Sequence, residues 1–276
     1  MIGPGLISSF CFLMTAAHFL RGGVNAGVIL CLALAALSFS GCGWLRRSVT
    51  FLLLASLGFW GVESVHLAGM RIVEGLPFVR LAAILMGVLL LHAGAILWRS
   101  RREKGLSAPE LARSRVFSAS VVLLFALDAL APFPLLLGER VFPWQGFNGL
   151  AILLLAWWGG YCAAGLLNPQ ASPRRRRVMW TVFASVFFLQ FLLGVTVASS
   201  LLMTGRLHLP VPFMMLSGPV YRGEGMFMLA LFSVSVLLAG SAWCSHLCYF
   251  GVWDCLSASS SRRKGRSVKG GKDSRD

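Results

Sequence analysis

Cys244, Cys248 and Cys255 fall within twelve residues, in the stretch SAWCSHLCYFGVWDC that ends the last long apolar run of a 276-residue chain. If that run stays helical, residues four apart share a face, so Cys244 and Cys248 can reach one metal centre. Thiolates favour soft centres, above all zinc and iron–sulfur clusters. Gly251 lets the chain turn back after a helix, which brings Cys255 toward the pair. A 4Fe-4S cluster takes four ligands, usually cysteines, and no cysteine follows Cys255 in this sequence. A fourth ligand is Cys162, Cys42, His246, one from a second subunit, or absent. A structural zinc, or thiols that hold nothing, is the competing reading of the same residues.

The elements that must position these thiols are membrane helices. Hydrophobic residues make up 57% of the chain and charged residues only 13%, against about 25% charge in a soluble domain, and the mean hydropathy is +0.76. Apolar runs of roughly 17–25 residues are what a bilayer requires, and they recur along the whole chain. The expected fold is all-α, a polytopic helical bundle of eight spans: Leu6–Leu20, Val24–Leu45, Val49–Met70, Leu81–Trp98, Val116–Gly138, Phe147–Leu167, Val178–Thr204 and Met226–Trp243. A signal peptide is the rival reading of the short first run. It has no charged leading segment and no small-x-small cleavage site, so it reads as a span.

The formal charge of +15 is distributed by side. Nineteen Lys and Arg follow the even-numbered spans, and six, Arg21, Arg71, Arg80, Arg140, Arg206 and Arg222, lie on the other side. Positive loops stay in the cytoplasm, so both termini are expected there. The basic charge then serves topology and contact with the lipid bilayer, whose anionic headgroups attract it. A nucleic-acid partner is not expected, because the basic runs lack interleaved aromatics on which bases stack. This topology gathers Cys244, Cys248, Cys255, Cys42 and Cys162 at inner ends of spans, where a reducing cytoplasm argues against disulfides. Cys11, Cys31, Cys42 and Cys162 read as small buried hydrophobes.

The segment RRRRVMWTVFASVFFLQFLLG, followed by LLMTGRLHLPVPFMMLSGPVYRGEGMFMLALFSVSVLLAGSAWCSHLCYFGVWD, resembles the iron–sulfur membrane proteins of the NapH/NosR type over about residues 174–254. The shared pattern is an Arg cluster, a span, an outer loop, a second span and a Cys-x3-Cys pair at the cytoplasmic end. The resemblance implies a 4Fe-4S-binding electron-transfer subunit of the bacterial inner membrane, working near the quinone pool with another redox subunit. It marks Cys244 and Cys248 as the cluster's first cysteine pair. Tyr249 stands where that family places proline, and its second Cys-x3-Cys-Pro is not in this sequence. Residues from HFLRGGVNAG through RLAAILMGVLLLHAGAILW resemble a small four-span membrane domain of unknown role, which implies no activity. The expected organisation is a four-span domain at 1–98, a basic cytoplasmic loop at 99–115, a second four-span domain at 116–256 and a disordered basic tail at 257–276.

Ionisable groups inside spans are functional candidates by default. Glu63 and His66 share a helix face, and His18 lies at similar depth. Paired histidines can ligate haem, while the nearness of the outer interface lets the same residues meet water. Asp128 sits mid-span beside Pro132 and Pro134, as an internal hydrogen-bond partner or a proton or quinone contact. His92 reads as a satisfied core residue, and Trp157 and Trp158 as packing between helices. The Pro- and Gly-rich loop GRLHLPVPFMMLSGPVYRGEG suits a re-entrant or interfacial segment rather than a span. No Gly-x-Ser-x-Gly, His-Glu-x-x-His or phosphate-loop pattern occurs, so a redox or accessory subunit is expected rather than a stand-alone enzyme. Two functions stay open: electron transfer through an iron–sulfur site, and a non-redox membrane scaffold or assembly factor with zinc or vestigial thiols.

Overall fold

The computed structural model describes residues 2–101, 105–131, 136, 146–202, 217–221, 223, 226–239 and 257. All regular structure among them is helical, and a helix occupies each expected apolar run. These are α1 (Ile2–Arg21), α2 (Asn25–Leu37), α3 (Gly43–Val73), α4 (Val79–Ser100), α5 (Ala108–Leu130), α6 (Phe147–Leu166), α7 (Ser172–Thr196) and α8 (Met226–Ala239). Five of them, α1, α3, α4, α6 and α7, are long and apolar enough to cross a membrane.

The other three differ for readable reasons. The second run was expected to continue from Val24 to Leu45, but α2 has only 13 residues, about 20 Å of helix. Ser38, Ser40, Gly41 and Gly43 break it, and the Ser38 hydroxyl bonds back to Leu34 O at 2.9 Å. Leu45, Arg46 and Arg47 consequently belong to the start of α3, whose 31 residues make it longer than the bilayer core. Helix α5 carries Glu110, Arg113, Arg115 and Asp128 within its 23 residues and ends at Leu130 rather than Gly138. Pro132 and Pro134 lack the N–H that would extend it. Helix α8 is described over 14 residues only.

The chain divides into two compact units, Met1–Arg175 with Ala198–Gly205, and Arg176–Val197 with Arg206–Asp276. The first holds α1 to α6 as three antiparallel pairs, α1 with α2, α3 with α4, and α5 with α6. Gly23 makes the first turn at φ +73°, which side chains with a Cβ rarely adopt. The pairs join because α2 packs on α6, α3 on α5, and α1 on α4. Helices α5 and α6, which follow the basic loop at 99–115, pack onto the helices before it. Gly149 brings α6 so close to α2 that a Cβ there would lie 2.5 Å from Ala26 O.

A lipid-facing bundle lacks a hydrophobic drive between its helices, so small residues and interhelical hydrogen bonds take over. Ser48 Oγ donates to Ser114 Oγ at 3.1 Å and Ser118 Oγ to Ser48 O at 3.4 Å, tying α3 to α5. Trp44 packs edge-on against Phe117 beside them. In the second unit, the Arg176 guanidinium lies over the Trp180 ring at 5.3 Å.

Candidate metal centre and buried polar sites

Cys244, Cys248, Cys255 and His246 lie outside the described residues, as do Tyr249, the loop at 203–216 and the tail at 258–276. Helix α8 leads toward the cysteines from Met226 to Ala239. Val234 and Leu237 on it are exposed, as lipid-facing residues are.

The remaining four cysteines are free thiols. Cys11, Cys31 and Cys162 are buried as expected, while Cys42 is exposed. It precedes α3 in extended conformation, and its N–H bonds to Ser40 Oγ at 3.2 Å. No three His, Cys, Asp or Glu side chains come together to hold a metal among the described residues.

The histidines are used differently from a haem pair. His18 Nε2 stands 3.7 Å from Glu63 Oε1, and its ring meets Phe59 and Trp60 edge-on. His66 is exposed. His92 is fully buried and satisfied at both nitrogens, Nδ1 against Val88 O at 2.9 Å and Nε2 against Ser56 Oγ at 3.2 Å. From Ser56 the chain of bonds runs to Thr15 Oγ1 at 3.1 Å, which also receives the Trp60 indole N–H at 3.1 Å. One polar string thus crosses α1, α3 and α4 inside the core.

Arg99, counted by sequence among the loop charges, is instead only 5% exposed. Its guanidinium donates to Ser8 Oγ at 3.3 Å, to Ser38 O at 3.4 Å and to Arg46 O at 3.4 Å. It thereby fastens the ends of α1, α2 and α3, and it satisfies a carbonyl in the turn that closes α2. Arg113 lies 4.0 Å above the Trp44 ring and Arg175 4.2 Å above that of Tyr161. Trp157 and Trp158, expected between helices, are 47% and 36% exposed, and Trp157 stacks on Tyr161.

Asp128 accepts a hydrogen bond from Asn148 Nδ2 at 2.9 Å. It lies in the last turn of α5 and Asn148 in the first turn of α6, so the pair spans two helix ends rather than a mid-span position. Asn148 escaped the sequence reading. The available signal was a fully polar amide at the start of an apolar run, facing a carboxylate at the end of the preceding one.

Outside the membrane-spanning segments, Glu110 opens α5. Its Oε2 accepts from the Ser107 hydroxyl at 2.7 Å and from the Ser107 N–H at 3.1 Å. These two bonds, the hydroxyl first, hold its carboxyl below the usual carboxylate range.

Residues 224–267 match a family model described as a 4Fe-4S binding domain. No curated protein and no solved structure matches the chain. The C-terminal region is thus of an iron–sulfur-binding type, preceded by helices of membrane-spanning length.

Proposed function

We propose, from that iron–sulfur-binding C-terminal region, that the chain is a multi-pass electron-transfer protein of the NapH/NosR type. Its one 4Fe-4S site is built on Cys244 and Cys248, with Cys255 as a further ligand. The carrying observation is the extent of the match: residues 224–267 enclose these three cysteines and no others. The donor set suits the group, since clustered thiolates bind iron–sulfur centres. It is one thiolate short of four. Cys162, Cys42, His246 or a second subunit are the sources of a fourth ligand.

Such a cluster, when bound, takes up and gives back a single electron. The chain's own residues bind it, carry it at the end of an apolar helix and hold that end at the cytoplasmic face through the neighbouring Lys and Arg. The reading includes eight spans, both termini in the cytoplasm of a bacterial inner membrane, the quinone pool as electron source or sink, and a further redox subunit as exchange partner. The sequence segments 1–98 and 116–256 are its two four-span parts.

The test is chemical analysis and electron paramagnetic resonance of protein purified without oxygen. Iron with acid-labile sulfide, and a paramagnetic signal on reduction, is the expected result. Zinc without sulfide would replace this reading with the scaffold. A reporter fused after Asp276 should read cytoplasmic; a periplasmic reading would put the cysteines on the wrong side.

A further inference from the structure

We propose that Asp128 and Asn148 form a binding site for a single sodium ion where the end of α5 meets the start of α6. The site rests on an imbalance of donors and acceptors. Asn148 is fully buried. Its Nδ2 is committed to Asp128 Oδ1 at 2.9 Å, and its carbonyl Oδ1 is buried with no hydrogen-bond partner. A buried amide oxygen without a donor is uncommon and asks for an occupant.

The end of α5 adds acceptors. In a continuing helix the N–H of residue 132 would bond to Asp128 O, and that of residue 134 to Leu130 O. Both residues are proline, so neither carbonyl has that partner. Helix α5 indeed stops at Leu130, its last bond being Ala131 N–H to Leu127 O at 2.9 Å. The Asp128 carboxylate and the Asn148 amide oxygen thus meet at a helix break that also leaves these two carbonyls without their helical partners. Broken helices present carbonyls and helix C-termini to Na⁺ in just this manner.

Geometry and charge select the ion. Both termini of the Asn148 amide hang on one carbon, so Oδ1 lies within about 5 Å of Asp128 Oδ1. A hard cation with oxygen ligands at about 2.3–2.6 Å bridges that separation. One carboxylate balances one positive charge, whereas a divalent ion would leave an uncompensated charge away from water. A single proton on Asp128 would supply one donor at most, and a cation engages several oxygens together. The two helix ends bring opposite partial charges, so the carboxylate sets the sign of the site. Close contact of Gly149 with Ala26 and Leu30 on α2 fixes the start of α6, and with it Asn148.

The experiment uses the full-length protein in nanodiscs, with radiolabelled Na⁺ and with thermal unfolding in NaCl or choline chloride at matched ionic strength. Saturable binding of one Na⁺ per chain is expected, with an unfolding midpoint that rises with NaCl and not with choline chloride. Asp128→Asn and Asn148→Leu should weaken Na⁺ at least tenfold, while Glu63→Gln leaves it unchanged. Wild-type protein that shows no Na⁺-specific binding overturns the proposal. So does a sodium response that survives in Asp128→Asn, or a midpoint that follows pH through Asp128 and ignores Na⁺. If Asp128→Asn fails to fold, the wild-type titration and Asn148→Leu decide the matter. The site is independent of the cluster, so cysteine variants should bind Na⁺ as wild type does.

Discussion

The six helices of the first compact unit and the cysteine-bearing C-terminal region differ in the polar atoms they carry. In the first unit, hydroxyls, an imidazole and a guanidinium join different helices: Thr15 with Ser56, Ser56 with His92, Ser48 with Ser114, and Arg99 with three segments. In α7 the hydroxyls of Thr181 and Thr196 bond back to their own helix, at Arg177 O and Leu192 O. The C-terminal region instead concentrates thiols, three of the chain's seven. A bundle can be knit by groups that satisfy one another completely, which leaves them little chemistry to perform. Ligands must keep their lone pairs for something else. Outside the Asp128–Asn148 pair, the difference separates a scaffold from a region built to bind.

The sharpest way to break that contrast is to remove thiols from each region in turn. Cys244→Ser and Cys248→Ser should each reduce bound iron and sulfide to background. Cys11→Ser and Cys31→Ser, in the core of the first unit, should leave both intact. Iron that survives loss of Cys244 or Cys248, or disappears with Cys11 or Cys31, would put the ligands in the wrong region.

Next in size is a change that attacks the scaffold and spares the ligands. In Gly149→Val the new Cβ would meet Ala26 O and Leu30 N of α2, at 2.5 and 3.0 Å. These are backbone atoms that cannot swing aside. Overpacking of this sort costs roughly 1–3 kcal/mol. The thermal unfolding midpoint in detergent should fall, while the iron content per folded molecule stays constant. An unchanged midpoint would mean that α2 and α6 are not in close contact.

How much of this was legible beforehand follows from which signals are local. Long apolar runs announce helices because a membrane segment must satisfy its own backbone, and each expected run does carry one. The end of α2 depended on Ser and Gly residues that a hydropathy window averages away. Arg99 looked like a loop charge because no sequence pattern says that an arginine at a helix end turns inward to meet Ser8, Ser38 and Arg46. Trp157 and Trp158 sat off the interfacial belt yet face outward, stacked about Tyr161. His92 was read correctly as a satisfied core residue. Its partner Ser56 lies 36 positions away, and pairings at that range leave no trace in one sequence. Cysteine spacing, by contrast, is local and chemically specific, and the match at residues 224–267 falls on the same stretch.

A smaller effect separates the two uses of a hydroxyl. Ser56→Ala removes the link between Thr15 and His92, at 3.1 and 3.2 Å. Interhelical hydrogen bonds in membranes average about 0.6 kcal/mol, with a maximum near 1.7. The unfolding midpoint should drop slightly. Thr196→Val, whose hydroxyl returns to Leu192 O at 2.8 Å within α7, should be nearly neutral. Equal losses from the two variants would remove the distinction between bridging and self-satisfied hydroxyls.

The smallest effect concerns pH, and it belongs to the scaffold alone. Glu110 is wholly solvent-exposed, and the Ser107 hydroxyl and N–H hold its carboxyl below the ordinary value. A carboxyl lowered in the folded state binds its proton less readily there than in the unfolded chain. Its contribution is therefore complete above the ordinary carboxylate pKa, and it is lost as pH falls through the lowered folded value. Because the group is exposed, solvent screens the interaction, so the response should appear as fraying of the first turn of α5 and leave the bundle folded. Amide exchange at Glu110, Leu111 and Ala112, corrected for the intrinsic rate, should lose protection as pH drops through the carboxylate range. Glu110→Gln should start less protected and show no such loss. Ser107→Ala removes the hydroxyl donor and keeps the N–H, so its transition should move toward ordinary carboxylate pH. A wild-type first turn whose protection does not change across that range would show that the Ser107–Glu110 box does not hold the helix start.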